Sequence, residues 1–205
     1  MFREVRRNTD IKVRVLLRPR FGDFCYDGYE FRVLRDEVEM FRDLGADGVV
    51  IGILKPDGTL NMEQMEELVQ AAGGIGVTMH RAFDVCRDPI EALEQCVSLG
   101  IDTILTSGQK SSAWEGRELL RQLADRAGGR LDILAGAGIG PDVIGKLAEY
   151  TGVRSFHMSG KKVVDSRMGF RREGVPMGIP GFSEFEIWQT DAEKVREAKN
   201  NMKKV

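Results

Sequence analysis

Short apolar runs alternate with amphipathic stretches along most of this chain, and the alternation predicts its architecture. Lys12–Arg18, Asp47–Gly52, Gly76–His80, Thr103–Ser107, Leu131–Gly136 and Arg154–Ser159 have the length and bulk of strands. Several are apolar enough for both faces to be covered, the habit of parallel sheets. Between them the apolar positions fall at helical spacing. Phe31, Leu34, Val38, Phe41 and Leu44 form one stripe and Met65, Leu68, Val69 and Ala72 a second. Leu119, Leu120, Leu123 and Ala127 form a third, and Val143, Ile144, Leu147 and Ala148 a fourth. Start and stop signals bracket these stripes. Asn61 with Gln64 and Ser112 with Glu115 read as capping boxes. Asp88-Pro89-Ile90-Glu91 and Pro141 open helices, and Gly45, Gly73-Gly74, Gly100 and Gly152 close them.

This is a run of βα units, whose parallel connections wind with one hand. The fold expected is α/β, a TIM-type barrel that is incomplete, with about six parallel strands visible. One domain spans residues 1–205: βα units over 1–160, a long irregular arm over 161–189, and a final helix over 190–205 capped by Thr190 with Glu193. Within the arm, Phe182–Trp188 has strand-like bulk but mixed periodicity.

Composition narrows the function classes. A formal net charge of -2 gives no general attraction to nucleic acid or an anionic membrane. No apolar run approaches the roughly 20 residues of a membrane span. Met1–Arg7 is too polar for a signal peptide, and three cysteines without zinc or redox spacing fit a reducing cytoplasm. The cysteines Cys25, Cys86 and Cys96 read as packing residues, and no metal ligand set is expected.

Candidate chemistry collects at the strand ends, where parallel α/β folds place their sites. The first strand brings Arg18, Arg20 and Asp23, and the third His80, Arg81 and Asp84. Arginines converging on one rim suit an anion, because guanidinium grips carboxylate or phosphate with two prongs. The other reading of Arg18, Arg20 and Asp23 is a structural ion-pair cluster. His80 near Asp84 fits an oriented acid–base pair, with Arg81 beside it. Ser107 ends the fourth strand, and His157 is balanced between facing a ligand and sitting in the core. Gly136-Ala137-Gly138 before a helix, together with Ser159-Gly160, suits a phosphate cradle; tight strand-to-helix packing is the alternative.

Several of these stretches together resemble the CutC family. They are Val15-Leu16-Leu17-Arg18-Pro19-Arg20-x-Gly22-Asp23-Phe24, Thr78-x-His80-Arg81-Ala82-Phe83-Asp84, Leu105-Thr106-Ser107-Gly108 and Phe156-His157-x-Ser159. Asp165-Ser166-x-Met168 and Val175-x-Met177-Gly178 fit as well. The resemblance implies a TIM-type barrel, a cytoplasmic location, a role in copper homeostasis and copper as the associated metal. Family members carry two further strands before the segment matching Lys12–Arg18, and those strands hold the cysteines suspected of binding Cu(I). No cysteine here occupies an equivalent position. Phe21 and Ala137 also stand where the family has glycine or a richer glycine run. Two open sheet edges follow from six strands, and they are expected to be covered by another subunit in a homo-oligomer, by the Lys161–Gln189 arm or by a rearranged N-terminus. Beside the family role stand two others: an enzyme or binding protein for a small phosphorylated or carboxylated anion, and an oligomeric scaffold without a working site.

Overall fold

A computed structural model describes residues 1–172, 174, 175, 178 and 183–203. A short helix, α1 (Phe2–Asn8), precedes β1 (Arg14–Leu16) and is tied down by Phe2, edge-on to Phe41 with ring centroids 5.6 Å apart. There follow α2 (Gly28–Asp43), β2 (Gly48–Ile51), α3 (Met62–Ala72), β3 (Gly76–Met79), α4 (Pro89–Ser98) and β4 (Thr103–Thr106). The series continues with α5 (Arg117–Ala127), β5 (Asp132–Ala135), α6 (Pro141–Thr151) and β6 (Ser155–Phe156).

The six strands pair in sequence order, all parallel, as an open TIM-type half-barrel. Register runs straight across it: Leu16 opposite Val50, Val50 opposite Thr78, Leu105 opposite Leu134. The convex face carries Val49, Ile51, Met79, Ile104 and Ala135, all fully buried against helix residues such as Leu34, Met65, Leu68, Leu93 and Leu123. The concave face is less covered, and Leu16 remains 63% exposed. That asymmetry is what a curved parallel sheet with helices on one side and too few strands to close must show. Among the described residues β1 and β6 each have one neighbour only.

Local chemistry explains most boundaries, and corrects some expectations. At α2 a full capping box forms: the Asp27 carboxylate accepts from the Tyr29 and Glu30 N–H groups, and Glu30 accepts from the Asp27 N–H at 3.0 Å. At α3, Asn61 accepts from the Gln64 N–H, but Gln64 returns to the Asn61 side-chain amide rather than to its backbone. The Ser112–Glu115 pair does not start α5. Ser112 accepts from the Glu115 N–H at 3.3 Å inside a turn, and the helix begins after Gly116 without a side-chain cap.

The arm expected over 161–189 is not irregular at its ends. β7 (Lys161–Asp165) and β8 (Glu186–Thr190) form an antiparallel ribbon with Val163 opposite Trp188 and Val164 opposite Ile187. Strands so far apart in sequence leave no hairpin signal, which is why the pattern hides them. Thr190 belongs to β8, and Asp191 caps α7 (Ala192–Met202) by accepting from the Glu193 N–H at 3.1 Å. α7 folds back on α6, burying Ala198 and placing the Asn201 amide 2.8 Å from the Pro141 carbonyl. Phe182 and Met177, named above, lie outside the described residues, as do 173, 176, 179–181 and 204–205.

Candidate functional site at the half-barrel mouth

A cavity of about 430 Å³ lies on the concave face. β1 and the loop after it supply Arg14, Leu16, Arg18 and Phe24 to its lining. Val50, Thr78, His80 and Arg81 come from β2, β3 and the end of β3, and Leu105, Leu134 and His157 close the far side. The lining is mostly apolar with a few convergent polar groups, the usual make-up of a small-molecule site.

His80 is the most constrained of these groups, at 4% exposure. It caps the short 3₁₀ turn Arg81–Val85, its Nδ1 accepting from the Ala82 N–H at 3.1 Å. That bond leaves the ring proton on Nε2, which is buried without a hydrogen-bond partner. Phe24 packs on the imidazole with centroids 4.9 Å apart, and the Arg18 guanidinium lies 4.5 Å from the centroid of the same Phe24 ring. Gly52 makes the ring's position possible: a Cβ there would sit 2.6 Å from Nδ1.

Burial, with the nearby Arg18 charge adding to it, pushes the His80 pKa down to about 4. An unfolded histidine titrates near 6.5. Between those values the unfolded chain therefore holds a proton that the folded chain does not. Stability from this residue is full above about pH 6.5 and declines as the pH falls toward 4, by about 3 kcal/mol in all. Urea midpoints measured from pH 7.5 to 4.5 should fall for the native chain and fall less for His80→Phe. Equal slopes in the two proteins would show that His80 is not the group responsible.

Asp84 does not orient His80. Its carboxylate, whose side chain is 6% exposed, accepts from Arg81 Nε at 2.6 Å, from the Thr106 hydroxyl at 2.5 Å, from the Ser107 N–H at 2.9 Å and from the Gln109 N–H at 3.2 Å. It fastens the end of β3 to the loop after β4. Ser107 is part of the same fastening: fully buried, it donates to the Lys110 carbonyl at 2.6 Å and receives Arg81 at 3.1 Å. The acid–base pair expected from proximity in sequence is thus two separate structures, because the turn after His80 carries Asp84 to the neighbouring strand.

Arg20 and Asp23 form the ion-pair cluster named as the alternative. Arg20 donates to Glu30 at 2.5 Å, to Asp23 at 2.8 Å and to the Cys25 carbonyl at 2.9 Å, pinning the loop to the cap of α2. These contacts hold the Asp23 carboxyl below the usual range, the Arg20 bond first and the Cys25 N–H second. Neither residue lines the mouth. The glycine cradle is not assembled there either. The Gly136 N–H donates to the Thr106 carbonyl, and a Cβ at Gly136 would meet Leu105 at 2.6 Å, so tight packing accounts for it. Gly138 lies against Ser112, Ser159 is exposed, and the Gly160 carbonyl accepts from the Asp191 N–H. His157, in contrast, lines the mouth on the β6 side.

Two mouth residues were not legible in the pattern. Arg14, which the strand's sequence leaves free to face outward, points into the concave face and donates to Thr78 at 2.7 Å and Asp102 at 2.6 Å. The adjacent apolar pair Leu16-Leu17 conceals which parity faces inward; Leu17 is the buried one. Phe24 belongs to a loop and carries no periodic signal at all.

No group of three or more His, Cys, Asp or Glu is placed to hold a metal among the described residues. Burial pushes the Cys86 thiol up to about 11 and the Cys96 thiol up to about 12, which disfavours the thiolate that Cu(I) prefers. The two buried thiols therefore do not fit a copper centre. Among the described residues no helix is long and apolar enough to cross a membrane.

Comparison with known proteins gives one consistent result. The CutC family model matches residues 1–162. A CutC family protein from Parabacteroides distasonis is 46% identical over 189 residues, covering 92% of this chain and 78% of that protein. One from Pasteurella multocida is 42% identical over 196 residues, covering 96% and 80%. A solved structure described as a copper homeostasis protein CutC, from Streptococcus agalactiae, superposes with a TM-score of 0.69 at 30% identity, covering 72% of each chain.

Proposed function

The chain belongs to the CutC family, and we propose that it serves copper homeostasis in the cytoplasm by binding a small anionic metabolite at the half-barrel mouth rather than by holding copper itself. The observation that carries this reading is Arg18. It lines the mouth, makes no salt bridge among the described residues, and keeps its Nε buried without a partner. A guanidinium that meets the Gly22 carbonyl and two aromatic rings but no carboxylate, in a mostly apolar cavity, is stabilised when an anion meets it. Three unpaired thiols support a reducing compartment.

Thermal shift against a panel of carboxylates and phosphate esters tests the anion site. At least one is expected to raise the melting temperature by several degrees, and Arg18→Ala should remove that response while leaving the ligand-free protein folded. A parallel Cu(I) titration against a competing chelator is expected to show no stoichiometric site. Tight Cu(I) binding that disappears in Cys25→Ser would overturn the proposal.

A further inference from the structure

The lining discriminates between classes of anion, an inference that rests on the mouth being an anion site. Three arginines reach the lining, but they are not equivalent. Arg14 is committed to Asp102 and Thr78, and Arg81 to Asp84 and Ser107. Arg18 meets the Gly22 carbonyl, the Phe21 and Phe24 rings and the neighbourhood of the Tyr26 hydroxyl, and no carboxylate. Among the described residues no acid lines the cavity. Of the lining arginines Arg18 is therefore the one that makes no ion pair, with Asp23 close enough to feel its charge but held by Arg20.

A phosphate ester carries close to two negative charges and is normally met by several cations or by a run of backbone N–H groups at a helix start. Of the glycines that would supply such a run, Gly136 gives its N–H to the Thr106 carbonyl, and none of Gly136, Gly138 and Gly160 lines the cavity. A carboxylate carries one charge and matches a guanidinium in two-pronged geometry.

The second donor at this site is neutral. With Nδ1 occupied by the Ala82 N–H, His80 offers Nε2–H, a hydrogen-bond donor without charge, on a ring that lines the cavity. A buried donor left unpaired is costly, so a ligand that places an oxygen on it binds more tightly than one that misses it. Nε2 is buried beneath its neighbours, with Phe24 packed against the ring, so a local side-chain shift has to accompany the contact. Leu16, Val50 and Leu134 add apolar surface to the same lining.

We propose that the ligand is a small monocarboxylic acid with an aliphatic body and a second oxygen next to the carboxylate, a 2-oxo or 2-hydroxy acid, with its carboxylate on Arg18, its second oxygen on His80 Nε2 and its chain against Leu16, Val50 and Leu134. The cavity volume of about 430 Å³ accommodates a molecule of this size.

Isothermal titration of the full chain with three probes tests this: 2-oxoisovalerate, isovalerate and glycerol 3-phosphate. The 2-oxo acid is expected to bind at least tenfold more tightly than isovalerate, and glycerol 3-phosphate more weakly than either. Arg18→Met should abolish binding of both carboxylates. His80→Phe should bring the 2-oxo acid down to the affinity of isovalerate without changing isovalerate, and His80→Gln, which keeps a donor, should recover part of the difference. If glycerol 3-phosphate binds most tightly, the ligand class is wrong while the anion site stands. If no probe binds to protein shown by circular dichroism to be folded, and no anion in the wider panel does, both readings fall. If His80→Phe weakens both carboxylates equally, His80 only shapes the cavity and the second-oxygen contact is overturned.

Discussion

Replacing Asp84 with alanine is expected to destabilise the fold by about 3–5 kcal/mol, the range for removing one partner of a buried, hydrogen-bonded charge. The carboxylate gathers four donor groups from two strand ends: Arg81 Nε, the Thr106 hydroxyl, and the Ser107 and Gln109 N–H groups. Two of these are backbone donors in a loop with little other means of satisfaction, and leaving them unpaired adds to the lost ion pair. Asp84→Asn tests the same point at constant shape. An amide oxygen can still accept from Thr106, Ser107 and Gln109, but its NH2 group then faces the Arg81 Nε–H donor, so it should recover only part of the loss. Arg81→Ala should cost far less, near 1 kcal/mol, because the Arg81 side chain is 46% exposed. Urea unfolding of the three variants decides it. Loss in Asp84→Ala no larger than in Arg81→Ala would mean that the carboxylate does not organise this rim.

Gly116→Ala is expected to be comparably severe for a different reason. A Cβ at Gly116 would overlap the Ser107 carbonyl oxygen and lie 2.9 Å from Gly108 Cα, so the clash is with backbone and cannot be relieved by a rotamer. Gly108, at φ +70°, approaches from the other side, where its own added Cβ would overlap the Gly116 carbonyl oxygen. Relief requires the loop after β4 to move, and that loop carries the N–H groups bound to Asp84. A loss of about 3 kcal/mol or more corresponds to a melting point roughly 10 °C lower for a chain of this size. Gly145→Ala is the control. Gly145 sits inside α6 with nothing within 4 Å of an added Cβ, and alanine there should stabilise by about 0.5–1 kcal/mol. Calorimetry showing Gly116→Ala with the native melting temperature would refute the backbone-contact argument.

The two variants act on one assembly, so their effects should not add. Once Gly116→Ala has displaced the loop, Asp84 has already lost partners, and the double variant should fall short of the sum by about 1 kcal/mol or more.

Apolar spacing and cap chemistry are enough to specify the periodic part of the protein. Six strands, the helices between them and their stop glycines follow from that spacing and from cap residues such as Asp88 with Pro89, because these are local effects repeated in each unit. Placement at the strand ends also followed, since a parallel βα chain brings those ends to one rim whatever its details. Which rim residues meet is another matter. His80 and Asp84 are close in sequence, yet a 3₁₀ turn sends one into the cavity and the other onto Thr106. Arg18 and Arg20 flank a single proline, yet one lines the mouth and the other is held by Glu30. Nor could spacing show the β7–β8 ribbon, whose partners are separated by the length of the arm. Those outcomes depend on which donor lies across the neighbouring strand, and that is settled only when the sheet has formed.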